Sequence, residues 1–218
     1  MLGAYQSSHT SEERIAVHRH SEAYAALVLD GEYDETSADG RYPCSRGILT
    51  IHPSWHQHAD EIGKSGATIL NWPVNYADGL RSVKIVDVEA ITRLARRCPI
   101  EATNAALEEA ELINPISPAP WLVSLTALLA SESSAEITEL SAACGVSNEH
   151  AIRACKKWFG TSPGALRREL RLQRAIKKLQ SGAKPAQVAA EMGFSDQPHL
   201  TRLLKRATGL TPTVISTI

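Results

Sequence analysis

The sequence predicts an α+β chain of two domains, a small β-barrel followed by an all-α domain in which two helix-turn-helix motifs are joined by a linker helix. Three observations carry this prediction. Residues 16–74 hold short alternating or β-branched runs divided by Gly, Asp, Ser and Pro; from Val86 onward the apolar period becomes helical; and the helical stretch repeats the same order of motifs twice. With 218 residues, 43% hydrophobic and 22% charged, the chain is long enough for two cores, and its composition excludes wholesale disorder, a coiled-coil rod or a fibre.

The β elements come first. Ala25-Ala26-Leu27-Val28-Leu29, Gly47-Ile48-Leu49-Thr50-Ile51 and Thr68-Ile69-Leu70-Asn71-Trp72 read as strands, and Ala38-Asp39-Gly40-Arg41 as a hairpin turn. The period then changes. Val86, Ile91 and Leu94 mark a helix that ends near Cys98-Pro99, and a second is expected over Ala102 to Ile113. Asn114-Pro115-Ile116-Ser117-Pro118-Ala119-Pro120 cannot continue it, because proline lacks the amide a helix needs, and this stretch is the expected linker. The boundaries that follow are a first domain at 1–78, a helical connector at 79–119 suited to homodimerisation, and a second domain at 120–218.

Beyond the linker every element reads as a helix. Trp121 to Ala130 is apolar. Ile137 to Cys144 is stopped by Gly145, and Val146-Ser147 leads into Asn148 to Trp158; later Ala186 to Met192 is stopped by Gly193, and Phe194-Ser195 leads into Asp196 to Ala207. Each copy has a glycine for the sharp corner, an apolar plug after it, and a close in Thr-Ser-Pro (161–163) or Thr-Pro (211–212). The inward set is Leu200, Leu203 and Leu204 in the second copy but only Ala151, Ala154 and Cys155 in the first, which reads as underpacked. Between them Pro163 to Gln180 is one helix with Leu166, Leu170, Ile176 and Leu179 on a stripe, about 27 Å long at ~1.5 Å per residue. That approaches the ~34 Å of one DNA turn.

Charge divides at the same place. Residues 1–119 carry 10 Lys+Arg against 17 Asp+Glu and residues 120–218 carry 13 against 7, so a net charge of −1 conceals halves of −7 and +6. A cationic half attracts a polyanion.

The stretch Gly193-Phe194-Ser195-Asp196-Gln197-Pro198-His199-Leu200-Thr201-Arg202-Leu203-Leu204-Lys205-Arg206, followed by Gly209-Leu210-Thr211-Pro212, resembles the signature of the AraC/XylS family of bacterial transcription regulators, as does the first copy from Ile137 to Pro163. The resemblance covers about the last 85 residues. It implies a two-motif domain that binds double-stranded promoter DNA, attached to a sensing or dimerisation domain, with RNA polymerase as a further partner. This chain departs from the family pattern in having Ala151 and Cys155 at large apolar positions of the first recognition helix. With the inward residues assigned, the outward ones are Gln197, His199, Thr201, Arg202 and Lys205 in the second recognition helix and Glu149, His150, Ile152, Arg153, Lys156 and Lys157 in the first. Arginine reads guanine and glutamine reads adenine bidentately, while lysines neutralise phosphates; Arg202 and Arg153 are the expected base readers.

In the first domain His18-Arg19-His20, Tyr24 to Gly31, Gly47 to Ile51 and Pro53-Ser54-Trp55-His56-Gln57-His58 resemble the two motifs of a cupin β-barrel. His18 and His20 point to one face of a strand because side chains alternate. The resemblance implies that they meet His58 in a site suited to a divalent transition metal, Zn, Fe, Ni or Cu. The carboxylate of the cupin pattern is absent: Tyr24 or Ala25 stands at its offset. Three readings stand open, a metal on His18, His20 and His58 with His56 beside them, a metal-free effector pocket lined by His18, His20, Tyr24, His56 and His58, and a barrel kept for packing.

No nucleophilic triad, phosphate-cradling glycine loop or paired carboxylates compel an enzyme assignment; a cupin dioxygenase or isomerase fused to a DNA-binding tail is the rival reading. No run approaches a membrane span, Met1 to Glu13 lacks the order of a signal peptide, and a cytoplasmic location is expected. Cys44, Cys98, Cys144 and Cys155 form no CxxC pair and read as reduced thiols.

Overall fold

A computed structural model describes residues 3–75, 79–108, 110–131 and 135–217. The chain divides into two compact units, residues 1–117 and 118–218. The boundary expected at 78–79 falls at Asp78, outside the described residues. The segment read as a helical connector joins the first unit as far as Ser117.

In that unit β1 (Tyr5–His9), β2 (Arg14–Arg19), β3 (Tyr24–Ser37), β4 (Gly40–Ser45), β5 (Ile48–His52), β6 (Gln57–Pro73), β7 (Arg81–Lys84) and β8 (Glu111–Ile113) form one antiparallel sheet, with α1 (Val88–Arg97) and α2 (Pro99–Glu108) between β7 and β8. The long strands β3 and β6 pair from Tyr24↔Pro73 to Ser37↔His58. Outside β6 lie β1 and β2, while β5 and β4 share the other edge of β3 and β7 and β8 extend it. Among the described residues no pairing joins β1 or β2 to β4 or β8, so the expected closed barrel is a folded but open sheet. The expected turn is present, two residues tight, with Ser37 paired to Gly40.

A local irregularity shapes the interior. The β3–β6 register shifts between Val28 and Asp30 and again between Gly31 and Tyr33. The inward set therefore changes parity, from Tyr24 and Ala26 to Tyr33 and Glu35 on β3, and from His58, Asp60 and Ile62 to Ile69 and Asn71 on β6, and all nine line one cavity. Gly31 has φ +74, and a Cβ there would meet the Gly66 carbonyl oxygen at 2.0 Å.

The opposite face carries Ala25, Leu27, Leu49, Ile51, Leu70 and Trp72, which pack with Val88, Ile91 and Ala95 of α1 and Ala102 and Ala106 of α2. With both faces covered, β5 is buried at every residue. Asp87 caps α1 by accepting from the Ala90 amide at 2.8 Å, and Trp72 Nε1 donates to Thr103 Oγ1 at 2.9 Å, fixing α2 on the sheet. The helix expected over Ala102 to Ile113 ends at Glu108, because Glu111 to Ile113 pair with β7 instead (Lys84↔Glu111, Ser82↔Ile113); Glu109 lies outside the described residues.

The second unit is helical: α3 (Pro120–Ala130), α4 (Ile137–Ala143), α5 (Asn148–Phe159), α6 (Pro163–Gln180), α7 (Pro185–Glu191), α8 (Gln197–Thr208) and α9 (Pro212–Ile215). Gly145 and Gly193 take φ +74 and +68 at the two corners, as the duplicated pattern requires. Leu122, Leu125, Leu129, Leu166, Leu179, Val188, Leu200 and Leu204 are buried core residues. Leu203 is only partly covered. Ala151 and Cys155 are fully buried, and Ala154 is partly covered.

Cys44 and Cys155 are buried; Cys98 and Cys144 are partly exposed. Burial, with the Glu35 charge added, pushes the Cys44 thiol far up, and burial raises Cys155 to about 11. Both are inert structural thiols. In native protein at neutral pH, disulfide-exchange reagent should titrate Cys98 and Cys144 rapidly and the other two only after denaturant is added. Gly31→Ala should destabilise the first unit by more than about 2 kcal/mol in chemical denaturation, because a disfavoured φ and a backbone clash add.

Candidate functional site

The two recognition helices are built alike. Ser147 Oγ accepts from the His150 amide at the start of α5 and Asp196 Oδ1 from the His199 amide at the start of α8; each helix ends at a left-handed glycine, Gly160 and Gly209. Arg153, Lys156 and Lys157 on α5 and Gln197, Arg202 and Lys205 on α8 are exposed, with their inward neighbours Ala151, Cys155, Leu200 and Leu204 buried. Lysine and arginine thus occupy the outer face of both helices.

Four other outward positions are partly engaged. His150 meets the edge of Trp121 with ring centroids 5.0 Å apart, and His199 meets Phe194 at 5.5 Å while its Nδ1 lies 3.1 Å from Ser195 Oγ. Thr201 is half-buried and its hydroxyl donates to the Gln197 carbonyl at 3.0 Å. The amide of Glu149 itself and Ser147, at the helix N-terminus, hold the Glu149 carboxyl below its usual range.

The arginines of α6 divide by role. Arg174 donates to the Ala130 carbonyl at the end of α3, and Arg167 Nη2 donates to the Ala135 carbonyl at 2.8 Å. Both tie chain ends onto the central helix. Arg168 faces solvent.

The first unit contains a cavity of about 240 Å³ lined by Tyr5, His18, His20, Tyr24, His52 and His58 with Glu35 and Asp60. The sequence-predicted residues His18, His20, Tyr24 and His58 meet there, whereas His56 is not among its lining residues. One ring nitrogen from each of His18, His20 and His58 lies within 4.8 Å of the others, a spacing that fits a metal held by three imidazoles. His18 Nδ1 donates to the Ala16 carbonyl at 3.0 Å, leaving Nε2 as a lone pair 3.1 Å from His20 Nε2. Tyr24 stands 3.1 Å from His58 Nε2, and burial pushes its phenol well above the usual value, so it enters the site as a neutral group and does not replace the missing carboxylate.

Behind this group lies a layer that sequence reading missed. Tyr24 stacks on His52 at 4.4 Å and 7°. His52 Nε2 donates to Glu35 Oε2 at 2.8 Å with both side chains almost fully buried, and His56 Nε2 donates to Asp39 Oδ2 at 2.8 Å. Burial alone would push the Glu35 carboxyl up, but the charge and hydrogen bond of His52 outweigh it and hold the carboxyl well below the carboxylate range. Asp60, opposite Glu35 on the strand pair, is raised by burial and by the Glu35 charge. Burial also holds His58 well below the usual imidazole value, although Glu35 opposes the shift. A signal for the missed layer existed: His52 follows Thr50 on the inward parity of β5, and Glu35 occupies an inward position of β3 once the strand is extended past Leu29.

Residues 126–217 match the family described as "Helix-turn-helix domain". An uncharacterized HTH-type transcriptional regulator, YbfI of Bacillus subtilis, is 38% identical over 64 residues, 29% of this chain; the chain spans about a quarter (23%) of that relative's length. Among solved structures, ToxT from Vibrio cholerae is similar with 8% identity and a TM-score of 0.48 over 99% of this chain and 97% of that one. A transcriptional regulator with an AraC-type DNA-binding domain from Chromobacterium violaceum is 28% identical with a TM-score of 0.42 over 45% of this chain and 90% of that one. Together with the duplicated corners and the spacing of their glycines and prolines, the match over residues 126–217 makes this segment a helix-turn-helix domain.

Proposed function

We propose that the chain is a sequence-specific DNA-binding transcription regulator whose first unit binds a small-molecule or metal effector. The observation that carries the DNA-binding reading is the repetition of one exposed cationic helix, α5 and α8, on either side of α6, with Arg153, Lys156 and Lys157 on one and Arg202 and Lys205 on the other. The length of α6, about 27 Å, suits two helices entering successive major-groove segments ~34 Å apart. Arg202 and Arg153 read guanine, Gln197 reads adenine, and the lysines neutralise phosphates.

The cavity supports the effector reading. Its volume of about 240 Å³ suits a small ligand, and its wall offers imidazoles, a phenol and two carboxyl groups beside the apolar Ile15, Ile62 and Ile69. Effector binding shifts the population of conformations or dimer arrangements in which the second unit engages DNA. A second copy of the chain and RNA polymerase are the protein partners that this reading entails.

Genomic fragments retained by the purified chain should converge on one sequence pattern; failure to retard any duplex at low salt would falsify the reading. On the selected site Arg202→Ala should cost ~1–3 kcal/mol and relax preference at one base pair. Lys156→Ala should instead weaken all duplexes alike and reduce the slope of log K against log salt by about 0.9, measured by fluorescence anisotropy across a salt series.

A further inference from the structure

We propose that His52, His56 and His58 form a transition-metal site of their own, each ligating through Nδ1, behind the His18–His20 group. The tautomers argue for it. A carboxylate only accepts, so the proton of His52 lies on Nε2 toward Glu35 and that of His56 on Nε2 toward Asp39. In the neutral ring Nδ1 of each is then a lone pair, and both Nδ1 atoms are buried without a partner; a cation bound there takes the place of the second proton of the imidazolium. His58 Nδ1 is buried and unpartnered too, and it is a lone pair in the tautomer whose Nε2 donates to the Tyr24 oxygen. Three buried ring nitrogens without partners are unfavourable in a dry interior.

One ring nitrogen from each of the three lies within 4.8 Å of the others, and the residues are only 1%, 4% and 3% exposed. A divalent cation answers all three lone pairs at once. Imidazole donors held from behind by carboxylates are the arrangement that fixes ring orientation and raises ligand basicity in metal centres. Three neutral nitrogens select a borderline ion of the Zn²⁺, Co²⁺, Ni²⁺ or Cu²⁺ class over Mg²⁺ or Ca²⁺ and leave a fourth position for water or an anionic ligand. The outer pair differs: His18 Nε2 already meets His20 Nε2 at 3.1 Å, and His20 is exposed. The inference stands independently of the DNA-binding reading.

The test uses the full chain stripped by chelation and titrated with Co²⁺ alone, whose visible bands report tetrahedral coordination, with Zn²⁺ displacement as a second readout. One tightly bound equivalent is expected, retained in a His18→Ala/His20→Ala double variant, lost in His56→Gln, and weakened 10–100-fold in Asp39→Asn. Circular dichroism of the stripped proteins separates ligand loss from unfolding. If His56→Gln does not fold, Asp39→Asn decides, since the Asp39 side chain is 41% exposed and at the hairpin turn. Absence of stoichiometric Co²⁺, undiminished affinity in Asp39→Asn, or loss of the equivalent in the double variant would overturn the proposal.

Discussion

The first unit depends on the pairing of two long strands, β3 and β6, along their whole length. Two unbroken strands would each present one parity to the interior. The bulge around Leu29 to Glu32 changes that parity midway, so the two halves of each strand turn their inward residues to the same cavity. Gly31 and Gly66 make the bend sterically open. Only because of this does the Tyr24 end of β3, with His52 beside it, face Glu35 from the other half. The histidine layer is thus a product of strand irregularity as much as of residue choice.

The second unit has its counterpart in α6. Its buried side, Leu166, Leu172, Ala175, Ile176 and Leu179, serves both copies of the corner, and side-chain caps recur at the helix starts, Ser147 and Ser162 at α5 and α6, Asp196 and Thr211 at α8 and α9. Burial of this stripe is the dominant stabilising term for such a small helical unit. The helices α5 and α8 add Ala151, Cys155, Phe159, Leu200 and Leu204 to the buried set. Their outer faces are therefore free to be shaped by what they touch.

The helical unit was legible because its signals are local: a glycine at each corner, a cap before each helix, and a period that repeats. Most of its inward and outward residues followed directly, but Ala154, Leu170 and Leu203 are only partly covered, and Leu172 is buried on α6 where Leu170 was expected. The β unit was less so. The edge strand β1 lacks apolar alternation, β4 is short and interrupted by Pro43, and β8 is three residues long and exists by pairing with β7, which no local pattern announces. Closure was expected from the two-motif resemblance, yet closure depends on which edges meet, a non-local property. The three histidines His18, His20 and His58 stand out by their spacing; His52, Glu35 and Asp39 required the register of β3 against β5 and β6. The helices α1 and α2 read as a connector because an apolar stripe does not say which surface covers it. The sheet does.

The use of Arg167 and Arg174 to hold backbone carbonyls has a kinetic side. On the DNA-binding reading, these two part-buried cations are held by backbone carbonyls, so fewer cations are free to reach a phosphate directly than the formal surplus of the second unit suggests. Sequence-blind residence is correspondingly short. A search along a chromosome then proceeds by frequent release and recapture, and lingering is reserved for places where the tips of both arms find their bases together.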